Sequence, residues 1–306
     1  MIVAFLVVLE LGTRVAVQKA SRLERRIAGE YANALQVRRS ATDRQVLVIG
    51  NSLLLEDVQF DSIRAHLAPE WKATRFVVEQ TFFLDWYYAL RHMTAAGVDP
   101  DAVVLMLSAD QLVLSEIRGD YSIYRLMGPR DALDVSRDLR LHPTATASYL
   151  LSSLSAFYGL RAEYRKVLLG RLMPDMGSLT PHIIRISRPA MPDSEIYARA
   201  YERLSRLKAL LDSRHTEVVF VLAPLLGSQH WNEVVIRAAK DAHVTVLRPF
   251  DEHTFADSEY KADLFHMNET GALHFTARLL PSLRDALSTQ DSADRGSAAV
   301  ARRAGT

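Results

Sequence analysis

Short, Val-rich apolar runs separated by longer amphipathic stretches are the strongest constraint on how this chain folds. Residues 45–49 (QVLVI), 75–78 (RFVV), 102–107 (AVVLML), 217–222 (EVVFVL) and 244–247 (VTVL) are near-continuous apolar segments. A strand with one face in water alternates apolar and polar residues, so unbroken runs fit strands covered on both faces. Between them, Ile196, Ala200, Leu204, Leu207 and Leu211 recur at helical spacing behind a candidate cap at Ser194, and residues 231–242 give another helix. Strands alternating with helices predict an α/β fold, a parallel sheet with helices on both sides.

The rhythm breaks between the third and fourth strands. Residues 120–193 hold helical patterns such as 147–158, a basic patch around 161–166, and a stretch punctuated by Pro174, Pro181, Pro189 and Pro192. So long a crossover reads as a helical insertion, placed to cap a site. The expected organisation is an N-terminal helical region over 1–44, an α/β domain over 45–287, and a disordered Ser/Ala/Arg-rich tail over 288–306.

The N-terminus is unusual. Residues 1–9 are apolar, and Glu10 then interrupts a run too short to cross a bilayer, which needs about 20 such residues. It reads either as part of a membrane anchor or as a buried or frayed helix. Residues 14–39 carry Arg14, Lys19, Arg22, Arg25, Arg26, Arg38 and Arg39 against Glu24 and Glu30, as expected of a solvated helix resting on anionic lipid. That basic flank favours a cytoplasmic body under the positive-inside rule.

Composition removes several function classes. The 37 Lys and Arg balance 36 Asp and Glu, and no basic stripe interleaved with aromatics marks a nucleic-acid partner. With no cysteine, thiolate metal sites, iron–sulfur clusters and a Cys nucleophile are excluded. No cofactor is expected.

Two segments carry candidate chemistry. Gly50-Asn51-Ser52 follows the first strand, and ligands in parallel α/β sheets sit beyond the carboxyl ends of strands. Asn and Ser are also ordinary turn and N-cap residues at such a place. Asp263-Leu264-Phe265-His266 follows the last strand. A serine hydroxyl needs a base within reach, and that base needs a carboxylate to fix its tautomer. Asp212 and His215 have the same spacing but precede the fourth strand, at the amino end of the sheet, away from Ser52. Topology therefore selects Asp263 and His266.

VLVIGNS near the start and DLFHMNETGALHFT near the end together resemble the SGNH (GDSL-like) hydrolase superfamily, over residues 45–112 and 215–285. The resemblance implies a doubly wound, mostly parallel five-stranded sheet of flavodoxin-like type, with the helical insertion outside the common core. It implies Ser52 as nucleophile, His266 as general base and Asp263 as the orienting carboxylate. Asn268, Gly271 and Thr276 match a pattern trailing the His in membrane-associated members that act in polysaccharide or cell-envelope acylation. Those members imply a domain outside the cytoplasm, opposite to the reading of the basic flank, and an acylated small molecule or polysaccharide as partner.

The oxyanion blocks depart from the family. Its Ser N–H is retained at Ser52, but Asp110 stands in place of a donating Asn, with Gln111 beside it as a substitute amide. Glu79-Gln80-Thr81-Phe82 lacks the family Gly, leaving Gln80 or Thr81 to substitute. Loss of one donor costs about 10²–10³ in turnover. The expected function is a serine esterase or O-acyltransferase; the alternative is a catalytically impaired binding or scaffold protein of the same fold. A phosphate binder at Gly50-Asn51 is a third reading, but its single Gly makes a poor cradle and it leaves Asp263 and His266 unexplained.

The remaining candidates have bland readings. His274 reads as packed or surface, and adjacent Asp251, Glu252 and His253 lack the spacing of metal ligands. Phe82, Phe83, Trp86, Tyr87 and Tyr88 fit core packing or a substrate wall. Arg161, Arg165 and Lys166 fit a solvated face, or an anion grip if the insertion closes over Ser52.

Overall fold

The computed structural model describes residues 1–172, 190–226 and 230–304. Five parallel strands form one sheet in the order β2-β1-β3-β4-β5: β1 (Arg44–Gly50), β2 (Trp71–Val77), β3 (Ala102–Leu107), β4 (Glu217–Leu222) and β5 (Thr245–Leu247). Residues 46–49 and the whole of β3 are buried, as their unbroken apolar runs require. At the sheet edge, β2 begins at Trp71 and alternates buried Trp71 and Ala73 with exposed Lys72. That polar content is why its first half does not read as an apolar run.

The winding direction reverses at β1. The chain leaves β1 through α3 (Ser52–Glu56) and α4 (Phe60–Leu67) to reach β2 on one side, then crosses back through α5 (Phe83–Ala95) to β3 on the other. With right-handed crossovers this puts helices on both faces and leaves a switch point between the carboxyl ends of β1 and β3. Later crossovers use α12 (Asp193–Asp212) before β4 and α13 (His230–Asp241) before β5, while α14 (Glu269–Ala304) follows β5 and packs beside α4. Helix α12 begins at Asp193 behind Pro192, so Ser194 lies in its first turn rather than at its cap. Helix α14 runs through residues 288–304, where composition alone suggests a disordered tail; their alanines suit a helix.

The long crossover contains α6 (Ala109–Val113), α7 (Asp120–Leu126), α8 (Pro129–Asp138), α9 (Pro143–Leu154), α10 (Ala156–Gly159) and α11 (Arg161–Leu172). Pro174, Pro181 and Pro189 lie outside the described residues. These helices pack on α5 and on α1 (Ile2–Ala20). Glu10, which interrupts the N-terminal apolar run, accepts hydrogen bonds from Ser155 Oγ (2.9 Å), Ala156 N (2.8 Å) and Phe157 N (3.2 Å), capping α10. Burial opposes ionisation of Glu10, but these donors hold its carboxyl below its ordinary value.

Among the described residues, no helix is long and apolar enough to cross a membrane. Phe5, Val7, Val8, Leu11 and Val15 of α1 are exposed. The basic helix α2 (Arg22–Ala34) is not a free solvated rod. It lies along the edge strand β2, with Ile27 and Ala34 buried, Arg26 donating to Val77 O (3.1 Å), and Glu30 taking Arg75 (2.7 Å) and Val77 N (2.8 Å). The edge is thereby covered.

Gly50, the last residue of β1, sits where the backbone packs closely against β3 and α3. A Cβ there would lie 2.7 Å from Met106 O and 3.0 Å from Leu54 Cβ. Gly50→Ala should therefore destabilise the domain by about 1–3 kcal/mol, as overpacked core sites do, read as a lower urea midpoint with an unchanged slope. An unchanged midpoint would show that β3 and α3 yield freely.

Candidate active site

The nucleophile candidate is held by a short, well-anchored helix. Asn51, fully buried, caps α3: its Oδ1 accepts Leu53 N (3.1 Å), while its Nδ2 donates to Thr81 O (2.9 Å) in the turn after β2. Asn51 is the N-cap that its position suggests, and it also ties two strand ends together. Ser52 is the first residue of α3, where a backbone N–H has no acceptor within its own helix. Leu53 and Leu54 bury the other side of the helix, leaving Ser52 half-buried at the switch point.

The loop after β5 brings the other two residues to it. His266 Nε2 lies 2.8 Å from Ser52 Oγ, and His266 Nδ1 lies 2.7 Å from Asp263 Oδ2. Both distances are within the reach proton transfer requires. Asp263 Oδ1 also accepts the N–H groups of Phe265 and His266, both at 3.0 Å. Burial works against ionisation of Asp263, but the His266 ring and these two N–H donors outweigh it and hold the carboxyl below the usual range. A carboxylate facing Nδ1 selects the tautomer with the proton on Nδ1, leaving Nε2 as acceptor toward the Ser52 hydroxyl. The rival pair, Asp212 and His215, is held at the opposite edge, where Arg39 grips the carbonyls of Arg214 and His215.

The His loop is a closed unit. Tyr260 bridges Met267 in antiparallel fashion, Lys261 N donates to His266 O (2.8 Å), and Leu264 N donates to Lys261 O (2.9 Å). The residues trailing His266 are structural. Asn268 caps α14 through Gly271 N (3.1 Å) and reaches Ser258 O (2.6 Å). Gly271 is required because a Cβ would fall 2.4 Å from Glu259 O, and buried Thr276 accepts Gln59 N (2.9 Å) beside α4. Sequence reasoning missed Asp57, the C-cap of α3, whose Oδ1 accepts Met267 N at 2.8 Å.

The oxyanion candidates are distributed as follows. The Thr81 hydroxyl is committed to Val78 O (2.7 Å) and Trp86 Nε1 (2.9 Å), so its side chain is not available as a donor. Gln80 is exposed and holds φ +58°, the left-handed region that favours glycine, in the turn after β2. Asp110 and Gln111 sit in the first turn of α6, both buried. Gln111 Oε1 accepts Ser108 N (3.0 Å), leaving its Nε2 as the donor end of that side chain.

Other candidates resolve structurally. Arg161 pairs with Asp120 (2.5 Å) and stacks 3.8 Å over Tyr158, Lys166 pairs with Glu163 (3.1 Å), and Arg165 is exposed, so Arg161 and Lys166 are held within the insertion. Phe83, Trp86 and Tyr88 are core, with Phe82 and Tyr87 half-buried. His274 bonds Glu259 (2.9 Å) and packs on Phe255. Asp251 caps its own turn through His253 N (2.9 Å), and no metal-ligating cluster including Glu252 exists among the described residues.

No protein-family model matches the chain, and neither does any curated protein. Among solved structures, it is similar to an α/β hydrolase enzyme from the metagenome of Lake Arreo, Spain, at 10% identity and TM-score 0.43, covering 81% of this chain and 96% of that one. It is also similar to an acetylxylan esterase from Geobacillus stearothermophilus, at 10% identity and TM-score 0.42, covering 78% and 93%. At such identity and TM-score, nothing about this chain's chemistry follows from either likeness.

Because Asp263 is held below its ordinary value, its contribution to stability is complete above about pH 4 and fades as pH falls through the folded value. Asp263→Asn should therefore lower the urea midpoint at pH 5, with the difference from wild type shrinking as the pH falls below about 4. A difference that widens on acidification would show the opposite linkage.

Proposed function

We propose that this protein is a serine esterase or O-acyltransferase that acts on an ester of a carbohydrate or cell-envelope molecule. The observation that carries the reading is the hydrogen-bond chain from Ser52 Oγ through His266 to Asp263, at the carboxyl ends of β1 and β5. Ser52 Oγ attacks the ester carbonyl carbon while His266 Nε2 takes its proton. Asp263 stabilises the imidazolium without itself taking the proton. The tetrahedral intermediate collapses, the leaving alcohol receives the proton from His266, and the acyl group stays on Ser52. Water or an acceptor hydroxyl then attacks, losing its proton to His266, which returns it to Ser52 as acid or new ester departs. The Ser52 N–H supplies one oxyanion donor, and the Gln80 turn and Gln111 flank the same end of the sheet.

The acceptor class rests on the resemblance of Asn268, Gly271 and Thr276, trailing His266, to the pattern in envelope-acylating proteins. A second reading, a binding or scaffold protein of the same fold, is favoured by Asp110, which stands where the resemblance expects a donating Asn amide. The two differ in turnover. With p-nitrophenyl acetate, wild type should hydrolyse the ester, and Ser52→Ala should reduce kcat by about 10³-fold or more and abolish fluorophosphonate labelling. Glycan binding without any acylation of Ser52 would establish the scaffold reading instead.

A further inference from the structure

The hydrogen bond between Asp263 and His266 lies inside the loop, so it fixes the imidazole within the loop but not the loop against Ser52. Two consecutive loop residues straddle helix α3. His266 Nε2 meets Ser52 Oγ at its first residue (2.8 Å), and Met267 N meets Asp57 Oδ1 at its C-cap (2.8 Å). At 1.5 Å rise per residue, these points are only about 7 Å apart along the helix axis. Asp57 and Met267 are both fully buried, whereas the Lys261–Glu56 ion pair, which also joins loop and helix, is exposed and of a kind worth little.

We propose that Asp57 is a positioning residue: its buried carboxyl grips the Met267 N–H and thereby sets the distance from His266 to Ser52. The proposal rests on reading Ser52, His266 and Asp263 as the reacting set. Burial pushes the Asp57 carboxyl well above its usual range despite the Met267 N–H, with Glu56 and Asp263 adding to the rise and Lys261 opposing it. Its Oδ2 is buried without a hydrogen-bond partner, as a carboxyl retained for its one accepted bond would be. An asparagine reproduces that acceptor without the charge, whereas a leucine fills similar space and cannot accept.

The test uses the full chain and compares Asp57→Asn, Asp57→Leu and Asp57→Ala. Three properties are measured: the rate of fluorophosphonate labelling at Ser52, the separate kcat and KM for p-nitrophenyl acetate, and hydrogen exchange at the Met267 amide. The Leu and Ala variants should lose about 10²-fold in labelling rate and kcat, as a misplaced catalytic group does, with KM within about twofold. Their Met267 amide should lose protection, and Asp57→Asn should restore all three readouts. Wild-type labelling in a folded Leu or Ala variant would overturn the proposal. So would an Asn variant as slow as Leu, since the charge rather than the accepted bond would then be required. If Leu and Ala fail to fold, the Asn variant and wild-type protection at Met267 decide: a slow Asn variant or a freely exchanging amide refutes the grip. A wild type never labelled at Ser52, with Met267 still protected, marks failure of the reaction assignment rather than of the contact.

Discussion

The site depends on one long-range encounter: a loop that follows the last strand docks on a five-residue helix that follows the first. Everything local to either partner is self-sufficient. Asn51 caps its helix and ties it to the turn after β2, and the His loop closes on itself through the Tyr260–Met267 bridge. Neither arrangement creates chemistry alone. A serine hydroxyl at its ordinary pKa is a weak nucleophile, and an imidazole on a free loop has nothing to deprotonate. Joining them across 214 positions in sequence requires every strand of the sheet to run the same way. That parallel direction puts the carboxyl ends of β1 and β5 on one edge.

The fold was legible because central strands are buried on both faces and so must be apolar at successive positions. The runs at 102–107 and 217–222 coincide with β3 and β4. Legibility declines toward the margins: β2 starts at Trp71 rather than at residue 75, since an edge strand tolerates Lys72 and Thr74. The helix at 193–212 was visible in its apolar repeat, but its start was not, because Pro192 rather than Ser194 precedes it.

The candidate site was legible to the extent that topology decides it. The Asp263–His266 spacing has a twin at Asp212–His215, and only position after a strand separates them. Contacts whose partners lie far along the chain left no local trace. Glu10 reads as a flaw in an apolar run until Ser155, Ala156 and Phe157 are seen to need an acceptor. Asp57 carries no signal in the sequence, and only the Met267 N–H against it shows what it holds. The basic flank around Arg26 suggested lipid; Arg26 itself is held by Glu30, Glu79 and the edge of the sheet, and of these partners Glu79 and Val77 lie outside any local pattern. The turn after β2 holds Gln80 in the left-handed region that favours glycine, a strain its side chain does not announce in the sequence.

The most direct measurement of the central claim is a crystal structure of the protein after reaction with an aryl phosphonate ester. The account predicts phosphorus bonded to Ser52 Oγ, with His266 Nε2 within hydrogen-bonding distance of the adduct and Asp263 still on Nδ1. An adduct on another residue, or an unmodified Ser52 whose hydroxyl has turned away from His266, would contradict it.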